Sequence, residues 1–145
     1  MSTELDRQIA SRLETQGQRY TKGRQTIVSS LQQAGRPVTI PQIIEVTGLA
    51  QSSVYRNLVV LEELKVVERI VTNDDFARYE LAEEFNEHHH HLICSACGDV
   101  VDFCLPESAE SHLDGALHSA AESAGFVVEG HRLDLIGRCH ECIAA

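Results

Sequence analysis

The sequence lacks the segments that would carry a chain into or across a membrane. It has no run near the roughly 20 consecutive apolar residues that a membrane-spanning helix needs, and residues 1–20 lack the apolar core of a secretory signal peptide. We therefore expect a cytoplasmic protein with no membrane partner. Since thiols stay reduced in that compartment, the five cysteines are expected to be metal ligands or free thiols rather than a disulfide framework.

The motifs of zinc-dependent catalysis are also missing. The chain has neither H-E-x-x-H nor the pairing of H-x-E with P-C-x-x-C, which serve zinc proteases and zinc deaminases respectively. His140-Glu141 matches only a fragment of the first motif, and it lies between Cys139 and Cys142. We predict that the protein is not an enzyme.

Basic residues are scarce in the C-terminal half. Residues 71–145 hold three Lys/Arg and fifteen Asp/Glu, whereas residues 1–70 hold nine and seven. The two halves are therefore expected to bind different partners. Five basic residues between positions 16 and 61 accompany one acid, Glu45, and could form either an ordinary solvated surface or a footprint for phosphates; they are Arg19, Lys22, Arg24, Arg36 and Arg56.

Three segments of the N-terminal half carry apolar residues at helical spacing. The first, marked by Ile27 to Leu31, ends at residues 34–37, and the second, Ile40 to Val46, has Gly48 after its end. Before the third, Gln51-Ser52-Ser53 offers capping hydroxyls. The apolar stripe of this third helix consists of Val54, Leu58, Leu61 and Leu64, and its opposite face of Ser52, Arg56 and Val59, with Tyr55 at the edge.

Two β-prone runs follow, residues 66–72 and 76–81, joined by the hairpin-like turn Asn73-Asp74-Asp75. Helix, turn, helix and hairpin predict a winged helix, whose recognition helix enters the major groove of double-stranded DNA. A winged helix used only for protein contacts is the alternative. The predicted DNA contacts are Tyr55 and Arg56 to base edges and methyl groups, Ser52 and Ser53 to bases or backbone, and Arg19, Lys22 and Arg24 to phosphates.

Two C-x-x-C pairs, Cys94/Cys97 and Cys139/Cys142, stand far apart in the C-terminal half. Four thiolates suit a closed, tetrahedral zinc site, which stabilises a small domain by joining distant segments. A redox pair or disulfides are the alternatives. Cys104 stands outside the pattern and is predicted to be a small buried apolar residue.

Four consecutive histidines, His88 to His91, precede the first pair and run into an apolar strand-like segment. Because side chains alternate along a strand, His89 and His91 point to one face and His88 and His90 to the other. The run can therefore supply two imidazoles to each of two metal sites, unless it is merely a solvated run.

The rest of this half is predicted to be a sheet and a helix. Residues 100–103, 126–128 and 131–136 alternate like strands, and residues 106–124 read as a helix with Leu113 and Leu117 as its apolar stripe. Residues 82–87 have no periodicity and are interpreted as a hinge region. The predicted organisation is a winged-helix domain at 1–82, a hinge at 83–87 and a metal-binding domain at 88–145.

Four segments resemble the ferric uptake regulator family: residues 52–58 (SSVYRNL), 78–81 (RYEL), 88–98 (HHHHLICSACG) and 137–142 (GRCHEC). The resemblance covers nearly the whole chain. It implies an α+β fold, with an N-terminal winged helix and a C-terminal α/β dimerisation domain that carries a four-cysteine zinc site. It further implies a homodimeric repressor that binds palindromic operators when loaded with metal, and thereby controls uptake genes for metal ions.

The resemblance also implies three metal sites. The structural zinc site corresponds to Cys94, Cys97, Cys139 and Cys142. A regulatory site across the hinge corresponds to Glu80, His89 and His91. A second site in the dimerisation domain corresponds to His88, His90, His131 and an acid near the start of the helix, for which we choose Glu110 over Glu107 or Asp114.

One departure from the family affects the regulatory site. Many members add a histidine from the winged helix, but this chain has none before His88, and Pro37 occupies the comparable place. Some zinc-sensing relatives use an acid early in the wing, so Glu68 is predicted to complete the set with Glu80, His89 and His91. The wing cysteine of those zinc sensors is replaced here by Ala82.

The regulatory metal is expected to be Fe²⁺ or Zn²⁺, although nitrogen and oxygen ligands also accommodate Mn²⁺ and Ni²⁺. Peroxide sensing is disfavoured because that branch usually has aspartate in place of Glu80. The alternatives are a peroxide-, nickel- or manganese-sensing member of the family, or a metal-buffering module that does not bind DNA.

Overall fold

A computed structural model describes residues 3–144 as two halves, each with a three-stranded sheet. The N-terminal half contains α1 (Glu4–Thr15), α2 (Lys22–Ala34), β1 (Val38–Thr39), α3 (Ile40–Thr47), α4 (Gln51–Glu63), β2 (Val67–Val71) and β3 (Ala77–Leu81). A 3₁₀ turn at Glu83–Phe85 joins it to β4 (His90–Cys94), β5 (Val100–Phe103), α5 (Glu107–Ser123), β6 (Asp134–Gly137) and α6 (His140–Ala144).

The predicted ends of the first two helical segments, now α2 and α3, are confirmed by their caps. Thr39 accepts a hydrogen bond from the Gln42 amide, and the Gln42 side chain in turn accepts one from the Thr39 amide. Gly35 and Gly48 end α2 and α3 in the left-handed conformation, with φ of +63° and +71°. Glycine adopts this conformation without the steric cost of a Cβ.

The face assignment of α4 is confirmed, but its predicted capping is wrong. The N-cap is Ala50, which makes no side-chain cap, and Ser52 and Ser53 lie inside the first turn. The stripe residues Val54, Leu58 and Leu61 are buried. The opposite face, with Ser52, Tyr55, Arg56 and Val59, is exposed.

Sequence reasoning missed α1. The signals were a capping box, in which Thr3 and Asp6 bond each other's amides, and apolar residues four apart at Leu5, Ile9 and Leu13. Ile9 and Leu13 are fully buried. Helix α1 therefore closes the core of the winged helix, which draws on all four helices and the β2–β3 hairpin.

The N-terminal sheet has the order β1-β3-β2 and is antiparallel. The hairpin β2–β3, with its turn at residues 72–76, confirms the predicted wing. It places Glu80 at the end of the wing that is nearer the hinge.

The C-terminal sheet has the order β5-β4-β6, with β4–β5 antiparallel and β4–β6 parallel. The strand predicted at residues 126–128 is wrong: this segment has no regular structure, and Phe126 and Val127 are 74% and 92% exposed. Helix α5 forms as predicted, yet none of its described residues is buried, so Leu113 and Leu117 cover no core within this chain. Neither segment contributes a buried residue among residues 3–144.

The wing tip and Arg36, which lies between α2 and β1, contact the loop of the first cysteine pair. Arg36 forms an ion pair with Asp99, the Asn73 amide donates to the Ser95 carbonyl, and the Thr72 hydroxyl lies 3.4 Å from the Gly98 carbonyl. Gly98 has a φ of +77°, and a Cβ there would collide with Asp74. The two halves therefore touch at a position that requires glycine.

No helix within residues 3–144 is long and apolar enough to cross a membrane.

Candidate metal centres

The four paired cysteines form one group, here called the cysteine cluster, in which ligand atoms lie within 4.8 Å of one another. The parallel pairing of β4 with β6 sets Cys94 beside Gly137, so Cys139 follows two residues later at the same end of the sheet. The Sγ atoms of Cys97 and Cys139 are 3.8 Å apart. This matches the edge of about 3.8 Å of a tetrahedron with zinc–sulfur bonds of about 2.3 Å.

Backbone amides stabilise one thiolate of the cysteine cluster. The amides of Cys139 and Cys97 donate to Cys94 Sγ and lower the pKa of that thiol to about 6. Hydrogen bonds with Cys139 and Cys94 raise the pKa of Cys142 to about 12, so four thiolates coexist only around a positive charge. Sequence, geometry and ligand chemistry together suit structural zinc.

All five cysteines lie in the described part of the chain and are free thiols. This disfavours the disulfide alternative. Cys104 is exposed, so its predicted burial is wrong.

A second group, here called the sensing cluster, consists of Glu80, His89, His91 and Asp102. Glu80 Oε1 lies 2.9 Å from His89 Nε2 and 2.5 Å from His91 Nε2. Glu80 comes from β3 of the winged helix, His91 from β4, His89 from the residue before β4, and Asp102 from β5. The cluster therefore spans both halves of the molecule.

The other ring nitrogens of these histidines face orienting groups. His89 Nδ1 donates to the Glu87 carbonyl at 2.7 Å, and His91 Nδ1 lies 3.4 Å from an Asp134 carboxylate oxygen. Metal-binding histidines typically use their second nitrogen in this way, which points the free nitrogen at the ion. Both Nε2 atoms consequently converge on Glu80.

The electrostatics of the sensing cluster favour a bound cation. Burial and the neighbouring Glu80 raise the pKa of Asp102 to about 7. Burial acts to raise the pKa of Glu80 as well, but hydrogen bonds from His91, Asp102 and His89 outweigh it and lower that pKa. Glu80 Oε2 and Asp102 Oδ1 are buried without a hydrogen-bond partner among the described residues. Because such atoms are costly to bury unpaired, the donor set fits a divalent cation.

Glu68 is not part of this group. It lies directly opposite Glu80 on β2 and is exposed, outside the set of converging ligand atoms. Its place is taken by Asp102, which sequence reasoning missed and which faces His91 across the β4–β5 pairing. The available signal was a single acid in the otherwise apolar run of residues 100–103.

The third group, here called the second cluster, consists of His88, His90, Glu110 and His131. Glu110 carboxylate oxygens lie 2.8 Å, 2.7 Å and 3.1 Å from the Nε2 atoms of His88, His90 and His131. Of the acids considered, Glu107 is not in the group, and Asp114 lies outward, 3.9 Å from His131 Nδ1. The structure thus places Glu110 at this cluster, with His88 and His90 on the strand face opposite His89 and His91.

The predicted DNA-contacting residues of α4 lie on its exposed face, apart from the half-buried Ser53. Arg19 and Lys22, just before and at the start of α2, are also exposed. Arg24 is different: its guanidinium donates to Asn57 on α4, at 3.0 Å, and to Gln18 and the Arg19 carbonyl, at 3.2 and 2.7 Å. These contacts hold the segment before α2 against α4.

Fold and clusters together define a winged-helix protein with three groups of metal-ligating side chains. The sequence model of the ferric uptake regulator family matches residues 15–136. The chain belongs to the ferric uptake regulator family.

Individual known proteins are also similar to this chain in sequence or in fold. The chain is 32% identical over 145 residues to a peroxide-responsive repressor of Staphylococcus epidermidis, covering 96% of this chain and 90% of that one. The corresponding Staphylococcus aureus repressor is 31% identical over 145 residues, with coverage of 96% and 91%. Among solved structures, the ferric uptake regulator of Helicobacter pylori superposes with a TM-score of 0.77 at 24% identity, covering 96% of this chain and 91% of that one, and shows the same fold.

Proposed function

We propose that this protein is a metal-responsive, sequence-specific DNA-binding repressor that controls metal-ion homeostasis, and that the sensing cluster is its regulatory site. The single observation that supports this proposal most directly is the composition of that cluster. Its carboxylate Glu80 belongs to the wing, whereas His89, His91 and Asp102 belong to the C-terminal half. A shared cation there would link the pose of the DNA-binding unit to metal supply.

Within this proposal the residues act as a two-state clamp. When the site is filled, Glu80 is tied to His89 and His91, and the wing is held in one orientation. When it is empty, no cation joins Glu80 to the histidines and Asp102, and the tie loosens. A coupling of about 1–3 kcal/mol would change DNA affinity by about 5-fold to 150-fold.

The sensed metal is proposed to be Fe²⁺ or Zn²⁺. Two imidazoles and two carboxylates form a mixed nitrogen and oxygen set that both ions accept. The same set accepts Mn²⁺ and Ni²⁺, so the choice has to be measured. The cysteine cluster is reserved for zinc because four thiolates leave no open position.

Peroxide response is the second candidate function, since the repressors of both Staphylococcus species are described as peroxide-responsive. In this chain the wing ligand is Glu80 rather than the aspartate usual in that branch. Hydrogen peroxide added to Fe²⁺-loaded and Mn²⁺-loaded protein on operator DNA separates the two functions. Release only from the Fe²⁺ form supports peroxide sensing, and retention in both forms supports metal sensing alone.

The proposed DNA surface is the exposed face of α4. Tyr55 and Arg56 are proposed to read base edges, Ser52 and Ser53 to bond bases or backbone, and Arg19 and Lys22 to bind phosphates. Arg24, whose donors already bond Asn57, Gln18 and Arg19, is better assigned to positioning α4 than to a phosphate.

A homodimer is proposed from the open apolar surface of the C-terminal half. Leu92, Val101 and Leu135 are neighbours in one row across the sheet, and each is more than 40% exposed. Phe126 and Val127, in the segment after α5, are exposed apolar residues as well. A second copy of this chain is the occupant we propose, because two symmetry-related winged helices then match a palindromic operator. A cytoplasmic location follows from this role.

One experiment tests the whole proposal. The protein is prepared with zinc in the cysteine cluster and all other metal ions removed, and is then titrated with Fe²⁺, Zn²⁺, Mn²⁺ and Ni²⁺. Binding to a labelled operator duplex is followed by fluorescence anisotropy. The expected result is tight DNA binding only with metal, lost in His89→Ala and in Glu80→Gln. DNA binding that ignores chelators, or no salt-dependent binding to duplex at all, would count against it.

A further inference from the structure

The hinge, residues 83–87, contacts the second cluster through Glu83. Through Glu84 and Phe85 it contacts Arg12 of α1, which lies against the end of the recognition helix. We propose that Glu83 is a positioning residue that orients His88 for metal binding at the second cluster. Through the same contact, a metal ion bound at this cluster also orders the hinge. The coupling rests on the proposed function; the positioning role does not.

The His88 ring has two distinct nitrogen environments. Its Nε2 faces the second cluster, 2.8 Å from Glu110 Oε1 and 3.3 Å from His131 Nε2. Its Nδ1 hydrogen-bonds the Glu83 carboxylate. A carboxylate on the second nitrogen fixes the tautomer and the ring orientation of a metal-binding histidine, and it increases the ligand's basicity.

The other histidines of the second cluster lack such a partner. His90 Nδ1 is buried without a hydrogen-bond partner among the described residues. His131 Nδ1 is 3.9 Å from Asp114, beyond hydrogen-bond distance. His88 is also the most exposed of the three rings, so it has the most freedom to lose on binding. Glu83 therefore restrains His88, the histidine that would otherwise have the most freedom in the second cluster.

The next two hinge residues bind the N-terminal half through one arginine. Glu84 forms an ion pair with Arg12 of α1, and the Arg12 guanidinium lies 5.0 Å from the centre of the Phe85 ring. Arg12 Nη1 also lies 3.4 Å from the carbonyl oxygen of Leu64, the C-cap of α4. A cation near the last carbonyls of a helix is electrostatically favourable.

These contacts form a continuous chain from the second cluster to the recognition helix. Glu83, Glu84 and Phe85 are consecutive residues of one 3₁₀ turn. A metal that fixes His88 also fixes Glu83, and the same turn then holds Arg12 against the end of α4. Spatial continuity alone does not establish coupling, so the test measures both ends.

The variant is Glu83→Gln, which keeps the size of the side chain and removes its charge. The matched control is Glu87→Gln, an exposed acid of the same hinge. Both are made in a His91→Ala background, so that the sensing cluster is disabled. The probe is Co²⁺, added to protein with zinc in the cysteine cluster, and affinity is read from the visible absorption of the bound ion in competition with a chelator.

The expected result is a loss of Co²⁺ affinity of about 10-fold to 100-fold for Glu83→Gln and no change for Glu87→Gln. Equal affinities of Glu83→Gln and its background, or equal losses in both variants, would overturn the positioning role. Because no DNA is present and the sensing cluster is disabled, this result does not depend on whether the protein is a metal-responsive repressor.

Hydrogen exchange at residues 60–66 and 83–86 tests the coupling. Co²⁺ is expected to protect both segments in the background protein and neither in Glu83→Gln. In Arg12→Ala, Co²⁺ affinity and hinge protection should persist while protection of residues 60–66 is lost. Unchanged protection of residues 60–66 in Arg12→Ala would overturn the chain of contacts.

Discussion

His91 and Asp102 lie directly opposite each other on the antiparallel strands β4 and β5. Directly opposed residues share one face of a sheet, so this register brings a carboxylate to the histidines of the sensing cluster. Glu68 is paired in the same way with Glu80 on β2 and β3, yet it is exposed and lies outside the cluster. The two acids therefore make a matched pair for experiment.

Asp102→Asn should weaken the regulatory metal by at least the 10-fold to 100-fold typical of a disturbed metal site, because it removes one anionic ligand. Glu68→Gln should change the affinity by less than about twofold, because its exposed carboxylate is screened by water. Metal titration against a chromophoric chelator measures both. Equal losses of metal affinity in the two variants would show that Glu68 also binds the regulatory metal.

Metal affinity at the sensing cluster should rise with pH through about 7. Burial raises the pKa of Asp102 to about 7, and a cation must displace its proton. His89 and His91, whose pKa values burial lowers but Glu80 raises above the usual range, must also bind in the neutral form, so both effects have the same sign. Affinities measured one unit below and one unit above the Asp102 pKa should differ more in the parent protein than in Asp102→Asn.

The same shift predicts how the stability of the metal-free protein depends on pH. A carboxyl group with a raised pKa holds its proton longer in the folded state than in the unfolded state. Its ionisation therefore lowers the free energy of unfolding as pH rises from about 4 to about 7. Urea unfolding across this range should show the fall in the parent and a smaller one in Asp102→Asn; a rise confined to the parent would contradict the assignment.

Cys97→Ser should abolish the zinc that survives chelation and lower the melting temperature sharply, because the binding energy of a structural zinc site is also folding energy, about 10–16 kcal/mol in peptide systems. Cys104→Ser should do neither, because Cys104 is outside the cluster and exposed. Zinc content after chelation and thermal unfolding followed by circular dichroism measure the two effects. A Cys97→Ser protein that still holds one zinc ion per chain would show that this thiolate is dispensable.

Gly98→Ala should destabilise the protein by about 1–3 kcal/mol. Gly98 has a φ of +77°, and its added Cβ would collide with Asp74 of the wing. Gly115→Ala is the control: it lies within α5 with nothing near its Cβ position and should stabilise by about 0.5–1 kcal/mol. Thermal unfolding measures both. Equal effects would mean that the wing does not rest on this loop.

Local sequence determined much of this protein. The ends of α2 and α3 followed from Gly35 and Gly48, and the cysteine cluster followed from two C-x-x-C pairs, because caps and metal knuckles are short-range features. Strand alternation likewise separated His89 and His91 from His88 and His90. The predicted capping of α4 was wrong because Ser52 and Ser53 lie two and three residues after the N-cap, inside the first turn, and α1 was missed although Thr3 and Asp6 marked its start.

Tertiary structure decided what depends on pairing between distant segments. The register of β4 with β5 selected Asp102 over Glu68, and the position of the first turns of α5 selected Glu110 over Glu107 and Asp114. The hinge contact of Glu83 with His88 has no sequence signature of its own. Spacing along the chain specifies which side chains share a strand face or a knuckle, but which faces meet depends on how the strands pair and on where the helix lies.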